Sequence, residues 1–168
     1  FFPKFAVEAE PYLRMYPELI LPADQKEIFL RERNSVIVGR KLADRFGWSV
    51  GDAVRIVGDI YPGDWDFVIR GIYFGAKETT DESSWIFHYA YIDERMRTEM
   101  PGRSGQVGWF LVQIADPTRA AEISDQVDAL FRNSPAETKT QTEEAFALSF
   151  IAMSGSIIAG MHIISVMV

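Results

Sequence analysis

The fold is decided by residues 35–73, whose sequence is SVIVGRKLADRFGWSVGDAVRIVGDIYPGDWDFVIRGIY. The β-branched run Val36–Val38 predicts a short strand, because branched side chains favour extended backbone. Leu42 and Phe46 follow four residues apart, the spacing of one helical face, and Gly47 comes next. Glycine commonly ends helices because it accepts the left-handed conformation. The sequence therefore predicts a strand followed directly by a helix that Gly47 ends.

A β-hairpin is predicted after this helix. Its first strand is Val54–Val57, and Tyr61–Asp64 predicts a type II turn, because proline fixes one φ and glycine accepts the positive φ of the next position. From Trp65 onward apolar and polar side chains alternate, which is the pattern of a strand with one buried face. The side chains expected on that face are Trp65, Phe67, Ile69 and Tyr73.

Shorter elements flank this stretch. Before the central stretch we predict an edge strand at Phe5–Val7, a helical turn around Tyr12–Met15 and a surface helix that begins at Leu21–Asp24 and ends near Arg33. After it we predict a loop at Gly75–Ser84, an aromatic strand at Trp85–Ile92 and a helix from Asp93 to Met100. A break at Pro101–Gly105 and strands at Trp109–Ile114 and Thr138–Thr142 are predicted next. The aromatic strand is expected to be central, because both of its faces are largely apolar. Asp116 as N-cap and Pro117 as first residue begin the clearest helix, with an apolar stripe of Ala120, Ile123, Val127 and Leu130.

The C-terminal residues 146–168 contain no Asp, Glu, Lys or Arg. A helix of this length covers the hydrocarbon core of a bilayer, which is about 30 Å thick. We therefore predict a transmembrane helix over residues 145–168, with a buried core helix as the alternative. His162 lies inside it and is expected at an interface or bonded to a neighbouring helix. Thr142–Ala145 is expected to be a stiff junction, because acids begin the helix there and neither glycine nor proline interrupts it.

The composition excludes several classes of protein. The net charge of −7 argues against nucleic acid as a partner, since phosphate binding needs clustered Lys and Arg. It also disfavours simple adsorption to anionic lipid. The chain has no cysteine, which excludes disulfides, thiolate zinc sites and thiol catalysis. Hydrophobic residues make up 48% of the chain, which excludes a disordered protein.

Residues that suggest chemistry all have a simpler structural interpretation. His88 and His162 are the two histidines, too few for a zinc site, so His88 is expected to pack within the sheet with one ring nitrogen bonded. The acid pairs are Asp64 with Asp66 and Asp81 with Glu82, and acids in turns and loops are usually solvated. The spacing of Gly39, Gly47 and Gly51 matches neither the Walker phosphate loop nor the GxGxxG motif of dinucleotide-binding proteins. We therefore predict no enzymatic activity, no catalytic or metal-binding residue and no cofactor.

The central stretch resembles the extracytoplasmic core domain of MacB/FtsX-type ABC transporter permeases. In that family a glycine is followed by a Leu-Ala pair, then by a Gly-Asp pair, and then by a strand that ends in Gly-Ile. The residues at these places here are Gly39, Leu42, Ala43, Gly51, Asp52, Gly71 and Ile72. These are turn and core positions. They therefore indicate fold and membership rather than a ligand.

The resemblance implies an α+β fold with two lobes. Residues 1–144 would form a periplasmic core domain, in which a strand-rich lobe of about residues 35–104 is inserted into a βαβ-like lobe, and residues 145–168 would begin a membrane helix of the bacterial inner membrane. A hydrophobic segment upstream of Phe1 and two more beyond Val168 are expected for a permease.

The function implied is that of a permease subunit that couples ATP hydrolysis to export or periplasmic work. Its expected partners are a separate cytoplasmic ATPase, a second permease subunit in a homo- or heterodimer, and a periplasmic partner protein. A membrane-anchored binding or scaffold module without an ATPase is the alternative. A membrane-tethered hydrolase is a third class.

Overall fold

The structure is a computed structural model that describes residues 2–58 and 60–149. The chain divides into two compact units, residues 1–110 and residues 111–168. Unit 1 contains β1 (Lys4–Val7), α1 (Ala9–Met15), β2 (Leu19–Ile20), α2 (Ala23–Arg31), β3 (Ser35–Gly39), α3 (Arg40–Phe46), β4 (Ala53–Gly58), β5 (Gly63–Gly75), β6 (Trp85–His88), α4 (Tyr89–Glu99) and a 3-10 turn at Pro101–Arg103. Unit 2 contains a 3-10 turn at Pro117–Arg119, α5 (Ala120–Phe131) and helical residues 143–149. The predicted α+β class is confirmed.

Unit 1 is built on a mixed sheet with the strand order β1-β6-β3-β5-β2. The pairs β1–β6 and β3–β5 are parallel, whereas β3–β6 and β2–β5 are antiparallel. β5 is long enough to pair with several neighbours: β4 pairs antiparallel with its first half, and β2 pairs with its last two residues. β5 therefore joins the hairpin to the central sheet.

Helices cover both faces of this sheet, because its central strands are apolar on both sides. On one face α3 and α4 contribute Leu42, Ala43, Ile92 and Met96 to a core with the sheet residues Val36, Val38, Trp65, Phe67, Ile69, Ile72, Trp85 and Phe87. On the other face α1 and α2 contribute Ala9, Leu13 and Phe29 to a core with Ile37, Tyr73 and Ile86. All five residues of β3 and all four of β6 are buried.

A β-bulge divides β5 into two halves. Val36 pairs with Ile69, but Ile37 pairs with Gly71, so Arg70 is an extra residue on β5. A bulge inverts the alternation of side chains beyond it. Trp65, Phe67 and Ile69 therefore lie on one face as predicted, whereas Tyr73 lies on the opposite face, and its assignment to the same face was wrong.

The predicted strand–helix–hairpin order of the central stretch is confirmed. Gly47 has φ 68° and its N–H bonds back to the carbonyls of Ala43 and Asp44, so it ends α3 as expected. Gly63 has φ 116° at the hairpin turn, the positive φ that the turn required. The edge strand, the helices after Glu8 and Pro22 and the loop after Gly75 are also present.

The predicted aromatic strand ends earlier than expected. β6 stops at His88 and α4 begins at Tyr89, so Asp93 lies inside the helix and does not cap it. Tyr89, Ile92 and Met96 also follow helical spacing, and Ile92 and Met96 pack against the sheet. Tertiary packing therefore outweighs the β propensity of the aromatic run.

In the later part of the chain, two predicted strands are wrong. Residues 109–114 and 138–142 have no strand structure, because none of the described strands pairs with them. Asp116 does cap the turn before α5: its carboxylate accepts the N–H of Thr118 at 2.9 Å. In the predicted apolar stripe Ile123 and Val127 are half-buried, but Leu130 is 80% exposed.

Among residues 2–58 and 60–149, no helix is both long and apolar enough to cross a membrane. The predicted transmembrane helix falls mainly on residues 150–168, which lie outside the described residues, as does His162. The domain boundaries proposed from the sequence, including the inserted lobe at about 35–104, stay predictions.

Candidate binding surfaces

The acids Asp64 and Asp66 lie near cationic side chains of the hairpin and of α4. Arg55 of β4 donates to Asp66 on β5 at 2.7 Å and lies 3.9 Å from the Asp64 carboxylate. The hydrogen bond from Arg55 lowers the pKa of Asp66 below its ordinary value. Arg95 of α4 donates to the Asp64 carbonyl at 2.6 Å. These acids form a cross-strand ion pair and not an acid–base pair.

Asp81 and Glu82 organise the loop between β5 and β6. Asp81 accepts hydrogen bonds from the N–H of Ser83 and from the hydroxyls of Ser83 and Ser84. Partial burial alone would raise the pKa of Asp81, but these bonds outweigh it and lower the pKa. Glu82 accepts the N–H of Gly75 at 2.8 Å. Both acids therefore close the loop on itself.

His88 packs at the end of β6, as the sequence predicted. Its Nε2 lies 2.7 Å from the carbonyl oxygen of Phe29, and the two rings are 4.7 Å apart. In the part of the chain that the structure describes, no group of three His, Cys, Asp or Glu side chains is arranged to hold a metal ion.

The start of α3 is occupied by the protein's own backbone. The N–H of Gly39 donates to the carbonyl of Ser84 at 3.0 Å, and that of Leu42 donates to Glu82 at 3.2 Å. A Cβ on Gly39 would lie 2.1 Å from the Glu82 carbonyl oxygen. The glycine is therefore required for the close approach of the loop.

Sequence reasoning expected Asp93 to cap a helix, but Asp93 is a buried carboxylate inside α4. It accepts hydrogen bonds from the N–H of Gly105 at 2.7 Å, the hydroxyl of Ser104 at 3.0 Å and the guanidinium of Arg97 at 2.7 Å. The bond from Gly105 is the main cause that lowers the pKa of Asp93. The i, i+4 spacing of Asp93 and Arg97 was the one signal in the sequence. Asp93 fixes the segment after α4 to the helix.

Exposed apolar side chains mark one end of the hairpin. Val57 is 75% exposed and Ile60 is 72% exposed. Beside them Ile60, Tyr61, Arg103 and Gln106 line an open cleft of about 440 Å³, where Arg103 donates to the Ile60 carbonyl at 2.8 Å. The cleft is polar at its rim and apolar at the hairpin.

A second depression, of about 360 Å³, lies between α1, β2 and α2, and we call it the β2 groove. Its lining residues are Leu13, Arg14, Pro17, Leu19, Ile20, Leu21 and Lys26. Gly71 of β5 allows Leu21 to lie close to the strand, because a Cβ there would lie 2.7 Å from Leu21 Cδ1. The groove thus combines an apolar floor with two cationic side chains, and it offers binding chemistry.

These features describe an α+β domain with helices on both faces of a mixed sheet and two open surface depressions. Residues 17–130 match the family described as the MacB-like periplasmic core domain. Because this match covers well over half of the chain, the chain belongs to that family, and the resemblance inferred from the central stretch is confirmed. A search of curated proteins found no match. The family consists of components of ABC transporter permeases, and the chain is accordingly assigned to a permease component.

Proposed function

We propose that this domain belongs to a permease subunit in which a separate cytoplasmic ATPase drives movements that are used for export or for work in the periplasm. The family match over residues 17–130 is the observation that carries the proposal. The domain would lie on the periplasmic side of the bacterial inner membrane, and the subunit would pair with a second permease subunit. Residues 145–168 would begin the membrane helix that connects the domain to the ATPase.

The junction before that helix supports transmission of a displacement. The N–H of Thr140 donates to the Asp128 carboxylate on α5 at 2.7 Å, which ties the chain to α5 just before the helix. Thr142 then caps the helix: its carbonyl accepts the N–H of Phe146 at 2.9 Å, and its hydroxyl accepts that of Ala145 at 3.2 Å. Little slack is left between α5 and the start of the helix, as a mechanical coupling requires.

A flexible insertion at this junction tests the proposal. Seven Gly and Ser residues inserted after Gln141 keep both the Thr142 cap and the Asp128–Thr140 bond, but they add a floppy linker. We expect transport or partner activation by the complex reconstituted with its ATPase to be lost, while the complex still assembles and still hydrolyses ATP.

The matched control is a helix-forming insertion of the same length after Glu144. Seven residues are close to two helical turns, about 10 Å, so the helix keeps its phase and its stiffness. This variant should retain more activity than the flexible one. Full activity of the Gly-Ser variant would contradict mechanical coupling and favour an anchored binding module.

A further inference from the structure

The β2 groove has a fixed shape. Leu13 at its floor is only 7% exposed and belongs to the core under α1. On the opposite side α2 is tied to β5, because the N–H of Ile72 donates to the Gln25 side chain at 3.0 Å. Ile20 also lines the groove, but its side chain is 52% exposed and is therefore accessible to a binding partner. The groove is thus a recess that mixes apolar side chains with polar groups, and no described part of the chain fills it.

Its charge is opposite to that of the whole protein. The lining of the groove contains two cations, Arg14 and Lys26, and no carboxylate, although the chain carries a net charge of −7. Neither cation has an ion-pair partner among the described residues, whereas Arg33, Arg55, Arg70 and Arg95 are paired with acids. An apolar recess between unpaired cations is complementary to a surface that is apolar in the middle and acidic at its margins.

We propose that the β2 groove binds an acidic amphipathic helix of a partner protein. Apolar side chains of that helix, spaced at i, i+4 and i+7, would occupy the recess over Leu19, Ile20 and Leu21. Carboxylates beside this stripe would meet Arg14 and Lys26. This inference stands independently of the coupling to an ATPase proposed above.

Other occupants fit the groove less well. Addition of an extended strand relies on main-chain hydrogen bonds, and β2 offers an edge of only two residues. A lipid surface needs an exposed apolar patch, whereas the floor here is recessed. A second copy of this chain would offer the acidic helix α5, but its Glu122 is already bonded to Arg119 and its Asp128 to Thr140, so that Asp125 alone would have to meet both cations.

The test uses the whole chain of 168 residues, held in nanodiscs of zwitterionic lipid. The probe is a fluorescent designed helix of about 14 residues, or four turns, with a leucine stripe flanked by glutamates. A second probe carries lysine at every glutamate position. By fluorescence anisotropy, we expect the acidic probe to bind about tenfold more tightly than the basic one, the size expected for two exposed ion pairs.

Charge reversal provides the decisive comparison. The double variant Arg14→Glu plus Lys26→Glu should reverse the preference between the two probes. The control variant Arg132→Glu plus Lys139→Glu changes the net charge equally in unit 2 and should leave the preference unchanged. A photo-crosslinking residue at position 20 should capture the acidic probe, and one at position 57, another exposed apolar site, should not.

In the experiments with the probes, three outcomes would overturn the proposal. These are equal affinity for the two probes, a preference that the groove reversal does not alter, and displacement of the acidic probe by nanodiscs of anionic lipid. A dimer of the chain that the groove reversal dissociates would show that a second copy is the occupant, which also contradicts a separate partner.

Discussion

Asp93 shows how a single buried acid can hold a whole segment in place. Its side chain is 7% exposed, yet it accepts bonds from a backbone N–H, a hydroxyl and a guanidinium. A buried charge is tolerated when it is paired and fully hydrogen-bonded. Because two of these donors follow the 3-10 turn, Asp93 defines the path of the chain as it leaves α4.

The substitution Asp93→Asn should destabilise the protein most at neutral pH. The folded-state pKa of Asp93 is lowered, so its stabilising contribution is present above the ordinary Asp pKa of about 3.9 and is lost as the pH falls through the lower folded-state value. The difference in melting temperature between wild type and variant should therefore shrink as the pH is lowered from about 6 to about 3.

The control for this measurement is Asp125→Asn on the exposed side of α5. It should leave the melting temperature nearly unchanged across the same pH range, because Asp125 is exposed. A constant difference between wild type and Asp93→Asn at all pH values would show that the charge of Asp93 contributes nothing.

The turn between α3 and β4 depends on one glycine. Gly51 has φ 102°, a conformation that L-residues rarely adopt, and its N–H donates to the Ile69 carbonyl at 2.7 Å. The N–H of Ile69 donates in return to the carbonyl of Asp52 at 2.9 Å. The turn is thus hydrogen-bonded to β5, and any residue other than glycine at position 51 would strain the backbone.

Gly51→Val should lower the free energy of unfolding by about 1–3 kcal/mol, because the branched side chain makes the positive φ costly. Chemical denaturation measures the change. Gly108→Val is the matched control, since that glycine has neither a close neighbour nor a positive φ. Equal effects of the two substitutions would remove Gly51 from the positions where the backbone requires glycine.

Elements with a strong local signal were predictable from the sequence. α3 has its apolar spacing and its terminal glycine, and the hairpin has its turn residues. The bulge at Arg70 has no such signal, because it arises from pairing with β3, more than thirty residues earlier in the chain. The boundary between β6 and α4 was missed because aromatic residues satisfy both periodicities.

The binding surfaces were harder to predict, because they are made by the assembly of the whole molecule. The β2 groove exists only because β2 pairs with the end of β5, which brings α1 and α2 to its two sides. In the sequence its residues belong to three separate elements, α1, β2 and α2, each of which has only a weak pattern of apolar residues. The packing of His88 with one bonded ring nitrogen was predictable, whereas the partners of Asp66, Asp81 and Glu82 were not, because the sequence indicated only solvated acids in turns and loops.

At the scale of the molecule, a fragment that ends near Glu143 should be folded and soluble without detergent, whereas the chain of 168 residues should need detergent. The fragment keeps the sheet and both cores, and it lacks the whole charge-free run of residues 146–168. Exposing a run of this length to water costs many kcal/mol at about 25 cal/mol per Å² of apolar surface. Size-exclusion chromatography distinguishes the two cases. Soluble monomers of both would contradict the membrane interpretation of the C-terminal run.

The parallel pairing of β1 with β6 has a consequence for biosynthesis. Lys4 lies opposite Trp85 and Val7 opposite His88, so the first strand of unit 1 to be synthesised is paired with the last strand of its sheet. Until the residues of β6 have emerged, Phe5 and Val7 have no sheet edge to join. β1 must therefore stay unpaired while most of unit 1 is translated. Within unit 1, a holding chaperone that recognises short apolar segments would therefore find its first site at β1.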